Sequence, residues 1–516
     1  MRIPTLVFVL SLAATLAAEA VASEPPNIVL VMADDMGYSD LGCFGGEIRT
    51  PHLDALAADG LRFTNFYSEN MCWVSRAAML TGVYHKTSLV EGTIHPRCAT
   101  LAEVLRAAGY QTRMSGKWHL NGKKTYPNDR GFDEFYGILG GAASFYAPHS
   151  LSRNRENVED EARTDPDYYF THAISEEAVR MIEEADAEQP LFLYVAYTAA
   201  HWPLHAPAED IEAYDGKYAD GWDELRKTRL DRMKELGVID ASLELSPRHS
   251  NVPAWKDAKH KAWQQRRMEV YAAQVTAMDR GIGQIIQALR KADRFENTLF
   301  FFTVDNGGCH VEYTPQRKGS YLPEKTRDGR AMRPGNLPDI MPGPEDTYQS
   351  YGYGWANASN TPYRLFKQFD HEGGIRTPMI AHWPAGIENP GRLVPTVAHL
   401  IDILPTVLEA TDLDLPEQVG GKPQLPLDGA SFAATFAGAE IPGPETLSFH
   451  HARGKAFRQG DWKIVAADKG KWQLYHLRND PLELNDVAQR LPEKTSQLIE
   501  LWNAESRRHA RQASAR

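Results

Sequence analysis

The stretch Asn27-Ile28-Val29-Leu30-Val31-Met32, running on into Ala33-Asp34-Asp35, decides the fold class. Its apolar residues are continuous rather than alternating, the pattern of a strand whose sheet is covered on both faces. Leu191 to Tyr197, Thr298 to Val304 and Pro378 to His382 have the same character, and Thr112 to Ser115 is a weaker example. Helices with legible ends lie between them. Thr50-Pro51 supplies a cap and an N1 proline before Leu53 to Ala58, with Gly60 as the stop. Thr100-Leu101-Ala102-Glu103 is a capping box, and Gly109 ends that helix. Val275, Met278, Ile282, Ile285 and Leu289 recur at helical spacing ahead of the Thr298 strand. This alternation predicts an α/β fold with a large, mostly parallel sheet sandwiched by helices.

Composition bounds the rest. With 516 residues, 42% of them hydrophobic, the chain can bury a large core and a second, smaller unit. A net charge of −12 without a long basic run argues against nucleic-acid binding. Four cysteines are too few for a small disulfide scaffold. Cys43, Cys72, Cys98 and Cys309 show no metal-type pairing, and if one is chemically special at most two of the others pair. The single long apolar stretch is Ile3 to Ala18, which excludes a multi-span membrane protein. It follows Met1-Arg2 and precedes the small-residue patterns Ala18-Glu19-Ala20 and Ala20-Val21-Ala22, the layout of a secretory signal peptide. Residues 1–22 are therefore expected to be removed, leaving an exported chain, periplasmic or secreted, without a stable membrane anchor.

Two stretches interrupt the strand–helix order. Pro207 to Arg267 is long, charged and rich in Trp, Lys and Arg, and Cys309 to Tyr353 is crowded with Gly, Pro and charge. Both read as functional rims or mobile segments, and clusters such as Arg266-Arg267 read as solvated faces. A Pro/Gly-punctuated linker, Asp412 to Pro444, leads to strand-like pieces at Thr446 to His450, Lys455 to Arg458, Trp462 to Ala466 and Trp472 to His476. A final helix runs through Leu498, Leu501 and Trp502. The expected organisation is a catalytic domain over 23–440 and a C-terminal subdomain over 441–516, a small antiparallel sheet with one helix.

Polar residues fall at equivalent places. The Asn27 strand ends at Asp34-Asp35, the Thr112 strand at Lys117 and His119, the Leu191 strand at His201, and the Thr298 strand at Asp305-Asn306. Each alone reads as a turn or a surface residue. Ligands of open α/β sheets bind outside the carboxyl ends of the strands, so four segments together deliver these groups to one edge. Three carboxylates and an amide oxygen suit a hard cation such as Ca²⁺ or Mg²⁺, and the lysines and histidines suit an oxyanion. In Cys72-Trp73-Val74-Ser75-Arg76-Ala77-Ala78-Met79-Leu80-Thr81-Gly82, Ser75 to Leu80 looks helical and places Cys72 near a helix N-terminus, where an anion is favoured.

At this motif the chain resembles the formylglycine-dependent sulfatases of the arylsulfatase type, within the alkaline-phosphatase-like superfamily. Their signature, Cys-x-Pro-Ser-Arg followed by Thr-Gly, is matched at Cys72, Ser75, Arg76, Thr81 and Gly82, with Val74 in place of Pro. The likeness continues at Gly116-Lys117-Trp118-His119, at His201-Trp202-Pro203-Leu204-His205-Ala206-Pro207, and at Asp305-Asn306-Gly307. It extends through Lys367 and His371-Glu372-Gly373-Gly374-Ile375-Arg376-Thr377-Pro378 to Asn479-Asp480-Pro481-Leu482-Glu483. The resemblance implies that Asp34, Asp35, Asp305 and Asn306 hold Ca²⁺ and that dedicated machinery oxidises Cys72 to formylglycine. It further implies that Arg76 and Lys117 stabilise the aldehyde hydrate while His119 assists its collapse, and that Lys367 and His201 contact the sulfate ester and its leaving oxygen. One hydrate oxygen attacks sulfur; the second expels sulfate by C–O cleavage.

The activity so implied is hydrolysis of sulfate esters, on a sulfated small molecule or a sulfated glycan. A phosphate or phosphonate ester hydrolase of the same superfamily, and a non-catalytic sulfated-glycan binder with unconverted Cys72, are the alternatives.

Overall fold

In the computed structural model, which describes residues 24–514 apart from Ala452 and Lys469, Asn27–Ala33 is the central strand. The expected signal peptide lies outside the described residues. The main sheet has ten strands: β1 (Asn27–Ala33), β2 (Leu61–Tyr67), β3 (Gln111–Lys117), β4 (Glu134–Ile138), β5 (Leu151–Arg153), β6 (Glu156–Asn157), β7 (Leu191–Ala196), β8 (Thr298–Val304), β9 (Met379–His382) and β10 (Arg392–His399). Their spatial order is β10-β2-β9-β8-β1-β7-β3-β4-β5-β6. From β8 through β4 neighbouring strands are parallel, and β2 and β10 are parallel to each other. Strand β9 runs antiparallel to both β8 and β2.

Every residue of β1 is buried, and its alternate side chains enter different cores. Val29, Val31 and Ala33 join a cluster with Ile282, Ile285 and Leu289, whereas Ile28, Leu30 and Met32 join one with Ala77, Leu101 and Val407. Helices on both faces account for the unbroken apolar run. The helices include α1 (Pro51–Ala58), α2 (Cys72–Thr81), α3 (Leu101–Ala107), α4 (Gly221–Glu235), α5 (Lys261–Lys291) and α6 (Pro492–Ser514). The capping box is formed: Thr100 Oγ1 accepts from Glu103 N–H, and Glu103 Oε2 accepts from Thr100 N–H. Thr50 makes no such cap; its hydroxyl instead accepts from Gly42 N–H and donates to Asp54.

The structure corrects several expectations. Pro207 to Arg267 is not one open loop: it holds α4 and the first turns of α5. Nor is Arg267 on a solvated face: it is 2% exposed, stacks on Trp263 at 4.2 Å, and donates to Ser350 O and Glu312. The charge of α4 is likewise partly internal, since buried Arg229 pairs with Asp40 at 2.6 Å and Glu47 at 2.7 Å. Within the linker, Phe432 and Phe436 pack into the second core beside Phe63. Strands β2, β4 and β10 were hidden because Arg62, Asn65, Glu134 and Thr396 break their apolar runs. All four cysteines are buried free thiols.

The tail forms a four-stranded antiparallel sheet, β11 (Thr446–His451), β12 (Gly454–Gln459), β13 (Trp462–Ala467) and β14 (Gln473–His476). Leu447, Phe449 and Val465 pack on Tyr67 and Ile375, while Phe457, Ile464 and Leu474 pack on Leu498 of α6. Among the described residues no helix is long and apolar enough to cross a membrane.

Candidate active site

Register places the acidic residues. Ala33 pairs with Val304 across β1 and β8, so Asp34 and Asp305 leave adjacent strands at the same level. Asp35, at φ +61, turns its backbone N–H to Asp305 Oδ1 at 3.2 Å. Strands β7 and β3 bring His201 and Lys117 to this edge. Because β9 is antiparallel, the segment before it, carrying Lys367, arrives at the same edge. Cys72 follows β2 as the first residue of α2, which Gly82 closes at φ +66. Val74 is third in this helix. Its N–H is a first-turn donor without an intrahelical acceptor, so a helix starting at Cys72 does not depend on proline there.

The ten predicted site residues converge, and each carboxylate has a cation beside it. Lys117 Nζ ion-pairs with Asp34 Oδ2. Arg76 Nη2 donates to Asp305 Oδ2 at 2.9 Å and lies 3.8 Å from Asp34. Lys367 Nζ donates to Asp35 Oδ1 at 2.6 Å and to Cys72 Sγ at 3.0 Å. The thiol reaches Asp34 Oδ1 at 3.3 Å. Burial, with Asp305 and Asp34 adding to it, pushes the Cys72 thiol far up, so it stays protonated at neutral pH. Burial alone would raise Asp34 and Asp35, but Lys117 beside the first and Lys367 beside the second hold both low. Asp305 is raised, by burial and by Asp34. Burial opposes the charge of Lys367, yet Asp35 outweighs it and the ammonium is retained.

The histidines differ. His201 Nδ1 lies 2.6 Å from Trp202 O, which assigns the ring proton to Nδ1 and turns Nε2 toward Asp35 Oδ2 at 3.4 Å. A proton on Nε2, or a cation between the two, satisfies both groups. Burial lowers its pKa while Asp35 opposes the shift. His119, at φ +57, packs edge-on to Trp73 at 5.5 Å and makes no hydrogen bond to the other site residues. Burial and the neighbouring Lys117 keep it a neutral imidazole.

Two buried oxygens, Asp35 Oδ2 and Asn306 Oδ1, have no hydrogen-bond partner. They are the atoms a hard cation would satisfy, and Asn306 Nδ2 anchors the amide by donating to Asp35 Oδ1 at 2.7 Å. Asp34, Asp35, Cys72 and His201 each bring a ligand atom within 4.8 Å of the others. That group shares Asp34 and Asp35 with the sequence-derived set, whereas Asp305 has its oxygens engaged by Arg76 and the Asp35 N–H. Sequence reading missed Tyr194, whose hydroxyl accepts from Arg76 Nη1 at 3.3 Å; an apolar strand concealed its polar end. Ser75, noted only as a signature residue, ties α2 to the β8 end by donating to Asp305 O.

A deep edge of a mainly parallel, helix-covered sheet, with carboxylates facing lysines, arginine and histidine, defines an esterase site of the alkaline-phosphatase-like superfamily. The chain belongs to the sulfatase family, whose profile matches residues 26–413, and the N-sulphoglucosamine sulphohydrolase C-terminal profile matches 363–507. It is 32% identical to an uncharacterized sulfatase of Schizosaccharomyces pombe over 93% of both chains. It is also 32% identical to the arylsulfatase of Klebsiella aerogenes, over 81% of this chain and 93% of that one. Among solved structures, Ps i-CgsB in complex with k-i-k-neocarrahexaose superposes with a TM-score of 0.67 at 26% identity, covering 95% of this chain and 94% of that one. The protein is a sulfuric ester hydrolase.

Proposed function

We propose that this hydrolase is exported and cleaves sulfate esters with formylglycine at position 72 and Ca²⁺ held by Asp34, Asp35, Asp305 and Asn306. The observation that carries this reading is the position of Cys72 Sγ, between Asp34 Oδ1 at 3.3 Å and Lys367 Nζ at 3.0 Å at the start of a helix. A buried thiol that stays protonated is a poor nucleophile, so the position suits a residue converted to another group. The aldehyde hydrate supplies an attacking oxygen and a second oxygen through which sulfate is released; the cation supplies charge neutralisation.

The side chains divide the remaining tasks. Arg76, fixed by Asp305 and by Lys117 O at 3.0 Å, and Lys117 itself present positive charge to oxygen at position 72. Neutral His119 accepts a proton there. Lys367 contacts the sulfate group, and His201, whose Nε2 faces Asp35 Oδ2 at 3.4 Å, serves the departing oxygen as proton donor once its ring is doubly protonated, a form that Asp35 favours and burial opposes. Sulfated glycans fit as substrates, as does a small sulfated molecule, in line with the neocarrahexaose bound to Ps i-CgsB.

The test is mass spectrometry of the Cys72 peptide from a host with formylglycine-generating machinery, together with assays on matched sulfate and phosphate esters. An aldehyde-reactive peptide, preference for the sulfate, and a folded but inactive Cys72→Ala variant are expected. Full activity with only unmodified cysteine would overturn the mechanism, and a folded protein that binds sulfated glycans without cleaving them would establish the binder instead.

A further inference from the structure

Beyond the reacting centre, Arg317 is a cation with no counter-charge among the described residues, stacked on the neighbour of a site histidine. Arg317 lies on the Cys309–Tyr353 loop, its guanidinium carbon 4.7 Å from the Trp202 ring centroid and 5.1 Å from that of Tyr313. Among the described residues it has no side-chain hydrogen bond and no carboxylate partner, unlike Arg267 with Glu312 or Arg327 with Glu345 in the same region. The ring it lies on is next to the chemistry: Trp202 packs on His201 at 4.4 Å between centroids, and His201 faces Asp35.

The loop is held in place. Tyr313 packs against Trp202 at 5.2 Å and against Tyr348 at 5.0 Å. Its backbone N–H donates to Ser350 Oγ, which itself donates to Val311 O, and Arg267 pins Ser350 O from α5. Stacking restrains the guanidinium while leaving its N–H donors unused. An aryl or simple alkyl sulfate, whose single anion is consumed at position 72, offers these donors nothing. A planar or tetrahedral oxyanion elsewhere on the substrate satisfies them in the bidentate geometry that guanidinium favours.

We propose that Arg317, seated on Trp202, binds a second anionic group on the leaving-group side, so that the preferred substrates are polyanionic sulfated saccharides. The group is a carboxylate or a further sulfate. This rests on the sulfatase reading of the same site and adds the substrate class.

The experiment compares wild type, Arg317→Ala and Arg317→Lys on 4-nitrophenyl sulfate, on 4-carboxyphenyl sulfate and on a heparin-derived disulfated disaccharide. The carboxylate and second-sulfate arms separate the two sources of charge. One charge-assisted contact is worth roughly tenfold or more. For Arg317→Ala, the fall in kcat/KM on at least one doubly anionic substrate should exceed that on 4-nitrophenyl sulfate by about tenfold, mainly through KM, and shrink with added salt. Arg317→Lys, with charge but no planar fork, should recover only part. Equal falls on all substrates, or no fall on any, would overturn the proposal. If wild type cleaves none of these esters, the proposed formylglycine chemistry at position 72 fails on them separately, and calorimetric binding of the disaccharide decides the subsite. Weakening by about tenfold in Arg317→Ala supports it; equal affinities, or no binding to wild type, refute it.

Discussion

Lys463 is the sharpest test of how the C-terminal sheet is joined to the site. It is fully buried, with Nζ 2.7 Å from Glu372 Oε1 and 2.9 Å from Glu483 Oε1. Tyr67 donates to Glu372 Oε2 at 2.7 Å, and Glu483 Oε2 accepts the Glu372 backbone N–H at 2.9 Å. Burial alone would raise Glu372, but Lys463, Arg376 and Arg458 bring it down to about 2, whereas burial leaves Glu483 raised. Lys463→Ala leaves two carboxyl groups facing each other in a dry junction. Breaking a buried pair in this way costs about 3–5 kcal/mol. The pH dependence has a definite sign. In wild type, the stabilisation from Glu372 is complete above the ordinary glutamate range and is lost as pH falls toward 2. In the variant, Glu372 keeps Arg376 at 3.4 Å, whereas Glu483, already raised by burial, loses its ammonium; it holds a proton when folded and releases it when unfolded, so stability falls as pH rises, by about 1.4 kcal/mol per unit while the additional proton is bound. The deficit should therefore be larger at pH 8 than at pH 5.5. Urea unfolding at both values, followed by fluorescence of Trp462, Trp472 and Trp502 around this sheet, measures it. Activity should fall as well, since Lys367 lies on the segment that Glu372 anchors. A loss below about 1 kcal/mol, or an equal loss at both pH values, would show that the junction is not the dry ion network described.

Removing divalent metal with a chelator should lower activity, with Ca²⁺ restoring it; full occupancy by histidine-ligated zinc would contradict an oxygen site built on Asp34, Asp35, Asp305 and Asn306. His201→Ala should slow a glycan or alkyl sulfate about 10²–10⁴-fold and 4-nitrophenyl sulfate far less, because an aryl oxide leaves without a proton; equal slowing with the fold intact by circular dichroism would make His201 a positioning residue only. Gly116 has φ +116, and a Cβ there would stand 2.0 Å from Ala196 O. Gly116→Ala should destabilise by at least about 2 kcal/mol in thermal or urea unfolding and displace Lys117, and an unchanged melting temperature would refute the close approach.

Much of the fold was legible because burial on both faces writes itself into composition. The runs at Asn27, Leu191 and Thr298 became adjacent parallel strands, and the C-terminal strands and helix formed where their patterns lay. That these residues meet was legible because strands of one direction end at one edge, so Asp34, Lys117, His201 and Asp305 could be placed together by position. Direction itself was not legible for Met379–His382, since parallel and antiparallel central strands are equally apolar, and only packing between β8 and β2 settled it. Nor were the partners of charged residues. A local window cannot say whether Arg267 meets water or Trp263 and Ser350, nor that Tyr194 on an apolar strand turns its hydroxyl to Arg76. The chain alone determined which residue types reach the edge. Tertiary structure decided which carboxylate each cation neutralises and left Arg317 without one, because pairing depends on distances between segments that the local sequence does not encode.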